Sequence, residues 1–150
     1  MKNPNLTSAQ IKEITTSQTT NIELSLTQID NIEKYNYLLI IRSETNRYTR
    51  ITLYPIKKQK IIKLTLCGLK EIDEDIEEFS RRLQKYGIIY STGLVMIEGF
   101  FYLECYLHIS LIEEKYKDLK NYLDKNKNKS NIKDIQIIEI TLKKNKLDLK

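Results

Sequence analysis

Residues able to do acid–base, nucleophilic or metal chemistry are few in this sequence, and their spacing says what they are for. The single histidine, His108, lies in an apolar, strand-like run with no partners from which a triad can be argued, so it reads as a structural or interface residue rather than a general base. The two cysteines, Cys67 and Cys105, sit inside apolar runs and form no C-x-x-C pair, so neither a zinc ribbon nor a redox motif is indicated and buried thiols are expected. The carboxylates Glu71, Asp73, Glu74, Asp75, Glu77 and Glu78 are spread around a helix axis by their spacing; they complement a helix dipole rather than gather around a metal ion. Gly68, Gly87, Gly93 and Gly99 fit neither G-x-G-x-x-G nor a P-loop. The expectation is a protein that is not an enzyme and uses no cofactor and no metal.

Charge is the stronger signal. The chain carries +5 overall, but residues 1–70 hold 11 basic and 5 acidic side chains, residues 71–124 hold 6 and 12, and residues 125–150 hold 8 and 3. Such asymmetry predicts an end that meets a polyanion and a middle with another task. With 150 residues and 41% hydrophobic side chains, the chain is the size of one ordinary domain or two very small ones and can bury a core. No apolar run is long enough to span a bilayer and the polar N-terminus lacks a signal-peptide core, so a cytoplasmic protein with no membrane partner is expected.

The elements that position these residues are clearest after residue 60. Ile62, Leu64 and Leu66 alternate with Lys63, Thr65 and Cys67, the period of a strand with one buried face. Ile72, Ile76, Phe79, Leu83 and Tyr86 then recur at helical spacing, with acids in the first turn and Lys85-Gly87 near the end. Residues 88–98 and 100–109 read as a hairpin turning at Glu98-Gly99. Ser110 and Glu113 have capping-box spacing ahead of a second helical stripe, Ile112, Tyr116, Leu119 and Leu123. A Lys/Asn-rich loop over 125–131 precedes a last strand, Ile135 to Leu142. The order strand, helix, strand, strand, helix, strand predicts an α+β fold, a ferredoxin-like βαββαβ sandwich.

If Ile97 faces Phe100, one side of the second hairpin carries Ile88, Tyr90, Leu94, Met96, Phe101, Leu103, Cys105, Leu107 and Ile109, which is the expected core. The other side carries Ile89, Val95, Ile97, Phe100, Tyr102, Glu104, Tyr106 and His108, too apolar for open water. Val95, Ile97, Phe100, Tyr102, Glu104, Tyr106 and His108 are therefore the expected dimer or effector face.

In the N-terminal third, Ile11 and Ile14 share one helical face capped by Thr7 or Ser8, and Ile22, Leu26, Ile29 and Ile32 repeat at helical spacing after the polar stretch Thr16 to Asn21. A disordered leader is the alternative, since residues 1–34 are rich in Ser, Thr, Asn and Gln. Tyr37 to Ile41, a turn at Ser43 to Asn46, and Arg47 to Tyr54 then read as a β-hairpin closed by Pro55.

The pattern L-T-S-A-Q-I-K-E-I-T, then I-E-L-S-L-T-Q-I-D, then Y-L-L-I-I-R-S-E-T-N-R-Y-T-R-I-T-L-Y-P, from Leu6 to about Pro55, resembles the winged helix-turn-helix of DNA-binding regulators. That resemblance implies a recognition helix over residues 18–32, with Gln18, Thr19, Thr20 and Asn21 reading base edges. Arg42, Arg47 and Arg50 become wing residues beside phosphates, followed by Lys57, Lys58 and Lys60. With the ferredoxin-like part, the arrangement resembles leucine-responsive (Lrp/AsnC-type) regulators, whose second domain is related to ACT/RAM-type amino-acid sensors. The implied protein has a winged-helix-like DNA-contacting region at 1–58 and a regulatory, dimerising domain at 59–150. Its implied partners are double-stranded DNA, a second copy, and a small effector such as an amino acid.

Two other readings stay open. Glu98-Gly99-Phe100-Phe101-Tyr102-Leu103 resembles the aromatic third-strand signature of RNA recognition motifs, which implies base stacking on Phe100, Tyr102 and Tyr106. Against it, Glu98 stands where that family has Lys or Arg, and the surrounding segment is acidic. A stand-alone ligand-binding or protein-interaction module is the other alternative.

Overall fold

In the computed structural model the described residues are 9–14, 21–70, 74–126 and 132–143. The chain divides into two compact units, Met1–Ile32 and Glu33–Lys150.

In the first unit, residues 9–14 and 21–26 form neither helix nor strand, and residues 27–31 form turns closed by the Ile29 N–H donating to Leu26 O at 3.1 Å. The two helices expected on the Ile11–Ile14 and Ile22–Ile29 stripes are absent from the described residues; the nearest helical element is one 3-10 turn, Ile32–Lys34, at the unit boundary. The physical reason is visible at Ile11 and Ile14, which are fully exposed: a short helix gains its stability from burying an apolar face, and here nothing is buried. The intervening Ser, Thr and Asn also bond locally in place of helical hydrogen bonds, as Ser25 and Thr27 do through their hydroxyls at 2.9 Å. Gln18, Thr19 and Thr20 lie outside the described residues, as do the caps Thr7 and Ser8.

The second unit is α+β and holds two antiparallel sheets. Strands β1 (Tyr37–Glu44) and β2 (Thr49–Ile56) form a hairpin. Strand β3 (Lys60–Leu69), helix α1 (Glu74–Leu83), β4 (Ile88–Ser91), β5 (Val95–Ile97), β6 (Phe100–Leu107), α2 (Glu114–Asn126) and β7 (Asp134–Thr141) follow. The five-stranded sheet has the order β4-β6-β3-β7, with β5 also paired to β6. Strand β3 is central, and its alternation separates the two sides: Ile62, Leu64 and Leu66 pack in one cluster with Phe79, Leu83, Leu119 and Leu123 of the helices. Ile61 joins the other side.

The expected core positions Leu103, Cys105, Leu107 and Ile109 are buried. Ile97 pairs with Phe100 around Glu98-Gly99, where φ is +51° and +85°, the conformation of a tight hairpin turn that twists with its strands. Two local readings change. A register shift between Ile88 and Tyr90 sends Tyr90 to the opposite side, and Met96, on a strand with no second neighbour, is 61% exposed. Ile112 lies in the turn ahead of α2, 88% exposed, rather than on its stripe, because the helix starts only at Glu114.

The side of the sheet facing away from the helices is covered in part by the β1–β2 hairpin. Leu39, Ile41 and Ile56 cluster with Ile61, and against them lie Ile140 of β7, Tyr106 of β6 and Tyr90 of β4. Residues from four strands take part, so the hairpin lies across the sheet. Tyr54 and Tyr90 meet with ring centroids 6.1 Å apart. The sequence-level inference that something covers this surface is thus met at one end by the chain's own hairpin.

Candidate nucleic-acid interface

Pairing places Leu39, Ile41 and Ser43 of β1 on the same side of the hairpin as Tyr54, Thr52 and Arg50 of β2. The apolar members hold the root of the hairpin to the sheet. Beyond them, every residue from Arg42 to Ile51 is exposed, so the distal half projects as an arm. The sequence builds its tip around Thr45: the Thr45 hydroxyl oxygen accepts from the Arg47 and Tyr48 N–H groups at 3.2 and 3.1 Å, and the Thr45 N–H donates to Tyr48 O at 2.9 Å. A threonine bonding two residues ahead is a turn-forming device, and here it sets where Arg47 stands.

Three of the expected phosphate-contacting residues are brought together on this arm. Arg42 lies on the outward side, 3.1 Å from Glu44, Arg47 in the turn, and Arg50 on the side shared with Ile41. The Arg42–Glu44 pair is well solvated, so it holds Arg42 only weakly. Lys57 is exposed with its Nζ 5.8 Å from the Tyr35 ring centre. Lys58 is used differently from the expectation: its Nζ donates to His108 O and to Glu113 Oε1, each at 2.8 Å, and so pins the arm's root to the segment that enters α2. Asn21, in the first unit, is exposed, and its carbonyl accepts from Lys12 Nζ at 2.7 Å.

The expected dimer or effector face is split by the arm. Tyr106 packs under the hairpin with Tyr90 beside it and Lys63 Nζ 5.6 Å over its ring. Glu104 bridges to Lys63 at 3.2 Å. Phe100 and Tyr102 are half-buried, while Val95 and Ile97 are 42% and 51% exposed. His108 sits at the arm's root, its backbone N–H bonded to Gly87 O at 2.9 Å. Burial and the charge of Lys58 hold its imidazole below the usual histidine range. Among the described residues no group of three or more His, Cys, Asp or Glu side chains can hold a metal ion, and no helix is long and apolar enough to cross a membrane.

The clamp at the root was not legible beforehand, because Lys58 and Glu113 are 55 residues apart and only the capping-box spacing drew attention to Glu113. Glu113 Oε2 also accepts from the Ser110 N–H, so half of that box forms. The Lys58 hydrogen bond, with help from Ser110 and against the effect of burial, holds the Glu113 carboxyl below its ordinary 4.5. A depressed carboxylate stabilises the fold above the unfolded-state value and loses that contribution as pH falls through the folded one. Neutral His108 works in the same sense from 6.5 downward. Stability is therefore expected to fall on acidification in two stages, the first from His108 and the second, below about 4.5, from Glu113. Glu113→Gln removes the second stage and costs about 1 kcal/mol at neutral pH; urea titrations across pH read both.

Compared with known proteins, the chain matches no family model, no curated protein and no solved structure.

Proposed function

We propose that this protein is a small DNA-binding regulator that grips the backbone of a duplex with its β1–β2 arm. The observation that carries the reading is the exposure of the whole segment Arg42 to Ile51, which carries three arginines against one acid on a hairpin whose root is fixed to a folded sheet. A two-stranded ribbon fits a major groove, and guanidinium groups on both of its sides and at its tip suit phosphates that flank such a groove. The reading does not need a recognition helix; the arm takes the contacting role itself, as in β-ribbon readers.

The remainder of the second unit supports a regulatory or dimerising role. Counted within β3-α1-β4-β6-α2-β7, the four principal strands stand in the order second, third, first, fourth, which fits a ferredoxin-like βαββαβ arrangement. The end of the outer face bearing Val95, Ile97, Phe100 and Tyr102 is where a second copy would join, presenting two arms to one duplex.

The test is duplex binding against salt. The wild-type protein is expected to bind mixed-sequence duplex DNA with an affinity that falls steeply as salt rises. Arg47→Ala with Arg50→Ala should weaken binding about tenfold at low salt and lower the salt slope by about two. Lys58→Ala should act through stability instead. Absence of duplex binding at low salt, or an affinity for single strands that depends on Phe100 and Tyr102 but not on the arm, overturns the proposal.

A further inference from the structure

Between α1 and α2, where β7 begins, lies a cleft of about 530 Å³. Its volume falls within the range of small-molecule sites. Phe79 and Leu123, both buried, line it together with Ile132 and Ile135. Tyr122 stands in the wall with its ring 6.0 Å from that of Phe79 and inclined by only 21°. The guanidinium of Arg82 lies 4.2 Å from the Tyr122 ring centre. The Tyr86 hydroxyl donates to Asp118 Oδ2 at 2.5 Å, tying the segment after α1 to α2. The aromatic surface is therefore held in place before any ligand arrives, which reduces the ordering cost of binding.

The charges decide the ligand's sign. Asp75, Glu78 and Asp118 line the cleft against Arg82 and Lys125. Arg82 is already placed on Tyr122 and beside the Tyr86 hydroxyl, whereas Asp75 and Glu78 stand exposed at the rim. Glu78 pairs with the solvated Arg81 at 3.3 Å, a pair that yields readily. Burial raises the pKa of the Tyr122 hydroxyl against the effect of Arg82, and Glu78 and Asp75 add to the rise. Arg82 already occupies the Tyr122 face, so the charge of a ligand finds its partners in the exposed carboxylates Asp75 and Glu78 rather than in the ring.

We propose that the cleft between α1 and α2 binds a small organic cation with an apolar body, the body lying against Tyr122, Ile132 and Ile135 and the charge directed toward Asp75 and Glu78. This site is separate from the arm, and neither reading depends on the other.

The test uses three matched probes on the intact protein: phenethylammonium, its neutral counterpart phenethyl alcohol, and the anion phenylacetate. Resonances of Tyr122, Ile132 and Ile135 are followed by NMR. The cation is expected to give saturable shifts at these residues, with the alcohol weaker and the anion without effect, and its affinity is expected to fall as salt rises. Asp75→Asn with Glu78→Gln should weaken the cation about tenfold. Both side chains are exposed, so the fold is preserved; the wild-type comparison of the three probes stands without the variant. Equal binding of cation and anion, an unchanged affinity in the double variant, or no saturable shift with any probe overturns the proposal.

Discussion

Leu66→Ala is expected to lower the free energy of unfolding by about 2–5 kcal/mol. Leu66 has no exposed surface and sits at the middle of β3, paired with Leu103 on one side and Ile135 on the other. Its side chain enters the cluster that joins both helices to the sheet. Truncation leaves a cavity bounded by elements that cannot all move inward, so the lost transfer energy and the void add. A domain of this size has about 5–15 kcal/mol to lose, and one such change takes a large share. Ile138→Ala on the neighbouring strand is the control: Ile138 is 50% exposed and its loss should cost under about 1 kcal/mol. Equilibrium denaturation at constant m-value compares the two. Equal costs would mean that β3 is not the centre of the fold.

Gly68→Ala is expected to cost about 2–4 kcal/mol, through two separable causes. Gly68 has φ of +72°, in the left-handed region, at a register shift where β3 departs from regular pairing with β6 between Leu66 and Leu69. An added Cβ would also stand 2.7 Å from Lys133 Cβ. That atom sits next to the backbone, and the Lys133 N–H is bonded to Cys67 O at 3.0 Å, so it cannot swing aside. Pairing Gly68→Ala with Lys133→Gly should recover the steric part and leave the conformational part, about 1–2 kcal/mol. A neutral Gly68→Ala would show that the chain crosses this position in another conformation.

The comparison of sequence with structure divides along locality. Helix α1 was legible because its acids and apolar stripe act within a few residues of one another, as do the 3-10 turn Gln84–Tyr86 that follows it and the left-handed Gly87 that ends that turn. The turn at Glu98-Gly99 was legible for the same reason, and so was the existence of the β1–β2 hairpin. Where that hairpin goes was not. Alternation says that Leu39 and Ile41 have a buried side, but not that the other surface is Ile61, Tyr106 and Ile140, which lie far along the chain. Lys58 looked like its neighbours until Glu113 appeared beside it. In the N-terminal unit the opposite error operated: isoleucines at three- and four-residue intervals satisfy a helical template, yet Ile11 and Ile14 find nothing to pack on. The candidate cleft was hidden because Phe79 read only as core and Tyr122 fell outside the second stripe, although Arg82 stands three positions after Phe79 and so shares its face.

The central position of β3 has a consequence for biosynthesis. Its partners β6 and β7 lie well downstream, with β7 spanning Asp134–Thr141. While the ribosome is still translating, the segment Ile61 to Leu69 must emerge with both edges unpaired, and one edge stays so until β7 follows. An apolar ribbon in that condition is what holdase chaperones bind and what nascent chains aggregate through. Slowing elongation between β6 and β7 should therefore reduce soluble yield, whereas the same pause placed before β3 should have little effect.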